Sequence, residues 1–256
     1  MKKKLKSFGV GFDNITYSIL KREIAQCVAS GKRVHIGYMN LHGAFLFAQR
    51  ARFREFVDTA HIVYADGFPM VLWRRMLWGD VSGGVRFTLT NELPDFLEFC
   101  LAQDISVYYI GSEANVVRAG VDCFKERIQG LRLDGRSGYF DLTPGSSGTQ
   151  SVLREIEAFG PDVLLVGLGM PRQEEWVLSN RKDIRAPVVY TCGAAIEYFS
   201  GAVREPPAWL GPYGLTWLFR LSQEPGKLWY RYLVEPLFLI PIALKELWHK
   251  IRGNLR

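Results

Sequence analysis

The chain has 256 residues, 48% of them hydrophobic, so it can bury a full core and a disordered protein is excluded. The 32 basic and 26 acidic residues give a net charge of +6, a mild excess that favours phosphate-bearing partners such as a nucleotide or an anionic lipid. The 4 cysteines form no CxxC pair, which argues against a structural zinc site or a disulfide framework and favours reduced thiols in the cytoplasm.

The N-terminal segment, residues 1–6, is basic, and no apolar segment follows it. We therefore expect no secretory signal peptide here. The segment could touch an anionic membrane, but the interpretation we favour is a solvated tail.

Short apolar segments alternate with segments of helical spacing as far as about residue 200. The strands predicted from this pattern lie within residues 34–37, 59–64, 106–110, 131–139, 163–166 and 188–191; the predicted helices cover residues 15–30, 44–60, 69–78, 93–102, 114–129 and 151–159, and one more begins at Arg172. This alternation predicts an α/β fold with a Rossmann-like, mainly parallel sheet and helices on both faces.

The segment 167–176 is the most informative part of the chain. Its two glycines follow a predicted buried strand and allow a tight turn close to a ligand, and Pro171 suits the first turn of a helix. A polar cluster, residues 172–175, comes next, where a helix N-terminus exposes free N–H groups. Because ligands of open α/β sheets bind beyond the carboxyl ends of strands, the segment predicts a loop for an anionic ligand such as a nucleotide diphosphate.

The composition changes after Gly201. Residues 204–256 contain 4 of the 7 tryptophans, with 8 basic and 4 acidic residues, a pattern typical of an interfacial membrane element. The apolar segment 237–244 is far shorter than the roughly 20 residues that a spanning helix needs. A helical subdomain packed on the core is an equal and compatible alternative. We therefore divide the chain into an α/β core, 1–201, and a helical, membrane-associating segment, 202–256.

Several motifs, in order and at matching spacing, carry a family resemblance. They are Asn40, Asp66-Gly67, Arg86, the strand with Gly111, residues 138–140 and 167–176, Gly193, residues 199–201, Pro207 with Trp209, and residues 214–221 with Glu224-Pro225. With them the chain resembles, from about residue 34 to 232, the WecG/TagA/CpsF glycosyltransferases, family 26, which make bacterial surface polysaccharides. Tyr38 stands where the family usually has threonine.

The resemblance implies an enzyme of the GT-E type that transfers a sugar, with inversion, from a UDP-sugar to a polyprenyl-diphosphate-linked sugar. N-acetylmannosamine, its uronic acid and glucose all occur as donor sugars in the family. The expected location is the cytoplasmic face of the plasma membrane, where the C-terminal segment would dock and help complete the site. No metal and no other cofactor is expected, and a homo-oligomer stays open.

The same resemblance assigns roles to individual residues. Asp66 is the candidate catalytic base, although an Asp-Gly pair is also a common turn. The candidates for donor or diphosphate binding are Arg86, Gly111, Gly169, Pro171, Gln173 and Glu174; those for acceptor or sugar contacts are Tyr38 and Asn40; those for phosphate or lipid contacts are Arg220 and Arg231. The structural alternatives are a helix cap for Asn40, a cap or a pairing with Arg172 for Glu174, and a surface position for the two arginines.

The sequence leaves three other functions to consider. A nucleotide-dependent oxidoreductase suits the alternation, but the chain lacks GxGxxG after its first predicted strand. A non-catalytic membrane adaptor suits the basic, aromatic C-terminus. Nucleic-acid binding is poorly supported because no basic cluster lies on a recognisable reading motif, and the 4 histidines have no metal-ligand spacing.

Overall fold

The computed structural model describes residues 4–79, 87–211 and 213–253. Its strands are β1 (Lys4–Ser7), β2 (Val10–Asp13), β3 (Val34–Met39), β4 (Ile62–Ala65), β5 (Val107–Gly111), β6 (Leu133–Ser137), β7 (Val163–Gly167) and β8 (Val188–Thr191). The last six form one parallel sheet in the order β4-β3-β8-β7-β5-β6. The predicted mainly parallel sheet is confirmed, and all its carboxyl ends meet at one edge.

The described residues form helices on both faces of this sheet and further helices in the C-terminal segment. They are α1 (Tyr17–Ser30), α2 (Leu41–Gln49), α3 (Ala51–Thr59), α4 (Phe68–Trp78), α5 (Leu89–Ala102), α6 (Ala114–Arg127), α7 (Ser147–Phe159), α8 (Arg172–Asn180), α9 (Thr216–Gln223), α10 (Pro225–Trp229) and α11 (Glu235–Ile251). Two 3₁₀ turns, Ala195–Tyr198 and Ala208–Leu210, and a π-helix, Tyr230–Val234, complete the elements.

The central strand β7 shows why the sheet needs two covering layers. Val163 and Leu165 pack in the core formed with α1, α5 and α6, whereas Leu164 and Val166 pack in the core formed with α3, α7 and α8. All four side chains are buried. Parallel strands covered on both faces give such uninterrupted apolar segments, which is what made β7 recognisable in the sequence.

The predicted single helix over residues 44–60 was wrong at Arg50. There the backbone is extended, with φ −123° and ψ 116°, so α2 ends and α3 begins. The guanidinium of Arg54 donates hydrogen bonds to the carbonyl oxygens of Phe47 and Ala48, at 2.9 and 3.1 Å. These carbonyls lie in the last turn of α2 and lack helical partners, so the side chain stabilises the break.

The prediction of a solvated N-terminal tail was also wrong for residues 4–6. Lys4–Ser7 pairs antiparallel with β2, and Leu5 lies opposite Phe12 with both side chains buried. Phe8 and Gly9 form the turn, both with positive φ (52° and 76°), as two-residue hairpins require. The signal that could have revealed this hairpin is the alternation of Leu5, Val10 and Phe12 with polar or small residues.

The C-terminal segment is helical, as predicted, and its last helix rests on the core. α11 packs against α2 and α4, and its Leu239 is buried. Its other side exposes large apolar side chains, Leu237, Ile240, Leu244, Trp248 and Ile251, whereas the half-exposed Phe238 lies against Phe45 of α2, with ring centroids 5.6 Å apart. Across the described ranges, no helix is long and apolar enough to cross a membrane. The division at residue 201 stays a prediction.

Candidate active site

A cleft with a volume of about 280 Å³ opens at the carboxyl edge of the sheet. The residue that directly follows each of the six parallel strands lines this cleft: Asn40, Asp66, Ser112, Gly138, Leu168 and Cys192. Ligands of open α/β sheets bind at this edge because the strands end there and the connecting loops supply polar groups. The site is therefore assembled from every strand of the sheet.

Asp66 and Asn40 stand side by side at the ends of β4 and β3. The Asp66 N–H donates to the Met39 carbonyl at 2.8 Å, and the half-buried Asp66 lines the cleft. Gly67 follows with φ 83°. The Asp-Gly pair therefore forms a turn, and Asp66 lines the cleft at the same time. Asn40 Oδ1 accepts from the Gly43 N–H at 2.9 Å, which makes it the N-cap of α2 as well as a cleft residue.

Tyr38, near the end of β3, lines the cleft beside the end of β8. A Cβ atom on Gly193 would lie 2.8 Å from the Tyr38 hydroxyl oxygen, so the glycine makes room for the phenol. Burial raises the pKa of Tyr38, and Glu174 and Asp66 add to this effect. The phenol is therefore neutral near pH 7 and can donate a hydrogen bond into the cleft.

The loop after β7 presents Gly169, Met170 and Arg172 to the cleft. Pro171 lies directly before α8, as its N-cap residue. Gly169, with φ 77°, gives the loop a backbone conformation that other residues rarely adopt. The loop thus brings backbone groups and one cation to the cleft.

Gln173 and Glu174 lie behind this loop and are almost completely buried. Gln173 Oε1 accepts from the Gly169 N–H at 3.2 Å, and Gln173 Nε2 donates to Glu174 Oε1 at 2.7 Å. Neither lines the cleft, so the two side chains brace the loop that does. A direct contact of Gln173 or Glu174 with the donor stays a prediction. Glu174 pairs with Gln173 and not with Arg172, the alternative partner.

Glu174 is also an unusual titratable group. Burial raises the pKa of its carboxyl to about 7, and the hydrogen bond from Gln173 opposes part of that rise. Its Oε2 has no hydrogen-bond partner in the described part of the chain. A buried carboxyl in this state exchanges a proton near neutral pH.

Gly111 has a packing role at the end of β5. A Cβ atom there would lie 2.5 Å from the Tyr109 hydroxyl oxygen and 2.7 Å from the Gly167 carbonyl oxygen. The side chain of any other residue would therefore clash beneath the cleft. Gly111 itself is buried and does not line the cleft.

The C-terminal segment supplies three cations to the other side of the cleft: Arg220 from α9, Lys227 from α10 and Arg231 from the π-helix. Arg220 lies over the Tyr198 ring, 5.9 Å from its centroid. Arg231 Nε is buried and has no hydrogen-bond partner among the residues described. Such a donor suits an anion, because a guanidinium binds phosphate oxygens in a fixed geometry.

Ser112 and Glu197 line the cleft, although the sequence does not indicate either as a site residue. Ser112 Oγ donates to Glu197 Oε1 at 2.7 Å, and Ser112 has a positive φ of 49°. Ser112 could have been found, since it directly follows a predicted strand. Glu197 lies in a 3₁₀ turn after β8, with no local pattern to mark it, and only the fold brings it beside β5.

Two further expectations stay open. Arg86 lies outside the described residues. Within residues 4–79, 87–211 and 213–253, no group of three or more His, Cys, Asp or Glu side chains could hold a metal ion. The expectation that the reaction needs no metal stays a prediction.

Known proteins are similar to this chain over nearly its whole length. The model of the glycosyl transferase WecG/TagA/CpsF family matches residues 5–253. Relatives from Staphylococcus aureus strains MW2 and NCTC 8325 are each 24% identical over 94% of this chain and 92% of their own length. Both are named N-acetylglucosaminyldiphosphoundecaprenol N-acetyl-beta-D-mannosaminyltransferase.

Proposed function

The chain belongs to the glycosyl transferase WecG/TagA/CpsF family, and from this premise we propose that it transfers a sugar from a UDP-sugar to a polyprenyl-diphosphate-linked sugar. The first donor to consider is UDP-N-acetylmannosamine, because the relatives are named for the transfer of that sugar to a lipid-linked N-acetylglucosamine. Its uronic acid and glucose are the other candidates. Membership of a transferase family argues against the oxidoreductase and the non-catalytic adaptor.

One observation carries the proposal: a half-buried carboxylate faces three cations across a single cleft. Asp66 lies at the end of β4, and Arg220, Lys227 and Arg231 reach the cleft from the C-terminal segment. Glycosyl transfer from a nucleotide needs both kinds of group, a base for the attacking hydroxyl and positive charge for the departing diphosphate.

In the proposed reaction, Asp66 removes the proton from the acceptor hydroxyl as its oxygen bonds to the anomeric carbon. The bond from that carbon to the diphosphate oxygen breaks on the opposite face, and its electron pair leaves with UDP. Attack from the opposite face inverts the anomeric centre. The neutral phenol of Tyr38, between Asp66 and the loop after β7, is available to orient a sugar hydroxyl.

Of these three cations, Arg231 is the one assigned to the leaving group. A guanidinium in a half-enclosed cleft stabilises developing phosphate charge more strongly than it would in water. The unpartnered Arg231 Nε is suited to this role. The N–H groups of the loop that Gln173 braces are suited to the donor's diphosphate.

We further propose that the enzyme works as a peripheral protein on the cytoplasmic face of the plasma membrane. The exposed apolar side of α11 also carries Trp248, a residue enriched at membrane interfaces. A lipid-linked acceptor would reach the cleft from that surface.

A donor screen tests the proposal. The purified protein is incubated with a polyprenyl-diphosphate-linked N-acetylglucosamine and, in turn, UDP-N-acetylmannosamine, its uronic acid counterpart, UDP-glucose and NAD(P). We expect acceptor-dependent release of UDP with one sugar nucleotide, and thermal stabilisation by UDP but not by NAD(P). UDP release that is absent with every donor would reject the proposal.

A further inference from the structure

A second concave site lies beside the cleft, on the other side of α9. It is an apolar groove with a volume of about 520 Å³, within the usual range for small-molecule sites. It is lined by Pro207, Trp209, Leu210, Leu215, Leu218, Phe219, Leu221, Ser222 and Pro225. We call these residues the apolar groove.

The apolar groove and the cleft share one short stretch of chain. Within α9, residues 218, 221 and 222 line the groove, whereas Arg220 lines the cleft; the helix ends at its C-cap residue Glu224, and α10 then brings Lys227 and Leu228 to the cleft. The groove residues of α9 therefore lie on a different side of the helix from Arg220. A ligand with a charged head and an apolar tail could therefore lie across α9 and α10, with the head in the cleft.

Charge complementarity favours one occupant. Arg220 and Lys227 suit a diphosphate, with Lys227 Nζ also 3.2 Å from Glu224 Oε1, whereas the described lining of the groove is apolar except for Ser222 and the Trp209 indole N–H. We propose that the apolar groove binds the first isoprene units of a polyprenyl diphosphate whose diphosphate lies against these two cations. The inference rests on the proposed function, because it concerns the lipid of that acceptor.

Contact with a bilayer surface is a different kind of lipid binding. The shape of the protein distinguishes it from binding of a single lipid tail in the groove. The apolar side chains of α11 project from the far side of a helix that rests on the core, so they suit a flat lipid surface. The groove is concave and adjoins the cleft cations. Chain-length selectivity is expected of a groove that contacts successive units of a tail, but not of a surface that only touches a bilayer.

A chain-length series provides the test. Binding of dimethylallyl, geranyl and farnesyl diphosphate, with one, two and three isoprene units, is measured by calorimetry below their micelle concentrations. Burial of each added unit should tighten binding, and we expect at least about a tenfold gain from one unit to three. Equal affinities across the series would overturn the proposal.

Two variants test whether the increase in affinity with chain length comes from the apolar groove. Leu218 is half-exposed in the groove and Leu244 is similarly exposed on α11, with 50% and 61% of their surfaces accessible, so neither change should unfold the core. We expect Leu218→Glu to abolish the chain-length gain and Leu244→Glu to keep it while weakening attachment to anionic vesicles. The same loss in both variants, or in neither, would contradict the assignment.

Photo-crosslinking settles the case in which a variant fails to fold. A farnesyl diphosphate with a diazirine on its tail should label residues 207–225 of the unmodified protein, whereas labelling of α11 alone would reject the groove. Calorimetry and crosslinking both measure binding and do not require sugar transfer. If affinity increases with chain length but no sugar is transferred, lipid binding in the groove is supported and the proposed function is rejected. If sugar is transferred but affinity does not increase with chain length, the proposed function is supported and the groove is rejected.

Discussion

His42 Nδ1 and Glu235 Oε2 lie 2.6 Å apart, and this pair joins the start of α2 to the start of α11. Both side chains are largely buried, with 14% and 6% of their surfaces exposed. His42 comes two residues after the cleft residue Asn40, and Glu235 comes directly after the π-helix that carries Arg231. The pair therefore couples the C-terminal segment to the sheet beside the cleft.

The first prediction follows from this pair. Glu235→Ala leaves a buried imidazole without its partner, and we expect a loss of about 1–3 kcal/mol in the free energy of unfolding. Because Arg231 is no longer held in place, kcat/KM for sugar transfer should fall roughly tenfold at a temperature where the variant is folded. Glu235→Gln keeps an acceptor for His42 and should restore most of the activity.

Glu55→Gln is the matched control, since Glu55 pairs with Arg52 on the exposed surface of α3. We expect no change in kcat/KM there. If Glu235→Ala retained full transfer activity, the pair would have only a structural role.

The second prediction concerns the base. Asp66→Asn removes the proton acceptor but keeps the size of the side chain, so turnover should fall by about 10²–10⁴. UDP binding and the melting temperature should change little. Asp58→Asn, an exposed carboxylate on α3, should have normal turnover. Near-normal turnover in Asp66→Asn would show that another group takes the proton.

The third prediction concerns pH and stability. Burial raises the pKa of Glu174 from its ordinary value of 4.5 to about 7 in the folded protein, so the folded state binds more protons than the unfolded state between those values. Stability should therefore fall as the pH rises from about 4.5 to 7. Glu174→Gln cannot ionise and should be more stable than the unmodified protein at pH 8, by on the order of 1–3 kcal/mol.

Urea unfolding of both proteins at several pH values measures this difference, which should vanish near pH 4.5. Gln173 Nε2 can still donate to the amide oxygen of the variant, so the brace behind the loop is kept. A difference in stability that did not depend on pH would argue that Glu174 does not titrate in this range.

The fourth prediction concerns the attachment of α11. The carboxylate of Glu246 accepts hydrogen bonds from the N–H groups of Phe8 and Gly9 and from the Trp73 indole, at 2.9, 2.8 and 2.8 Å. Glu246→Gln removes the charge and turns one acceptor into a donor that faces other donors. We expect a loss of about 1–3 kcal/mol, or roughly 3–10 °C in melting temperature.

Glu157→Gln serves as its control, because Glu157 is exposed and lies 3.8 Å from Arg185. Its change in stability should stay below about 0.5 kcal/mol. Equal melting temperatures for the two variants would mean that α11 does not depend on this contact.

Much of the site could be predicted because parallel strands leave a strong local signal. A strand covered on both faces must be apolar along its whole length, so the end of β7 and the polar loop after it were visible in the sequence. Asp66 and Asn40 were indicated by the family resemblance instead. The rule for buried strands did not reveal Ser112, because a polar residue after β5 is equally compatible with an ordinary turn.

The sequence by itself determined the alternation of strands and helices, the parallel sheet and the family, since each depends on local patterns or on motifs in a fixed order. Only the tertiary structure decided that Gln173 and Glu174 brace the loop from behind, that Glu197 meets Ser112, and that α11 rests on a hairpin more than 200 residues away. These relationships depend on which polar groups become buried together. Burial results from packing between distant segments, and no local pattern records it.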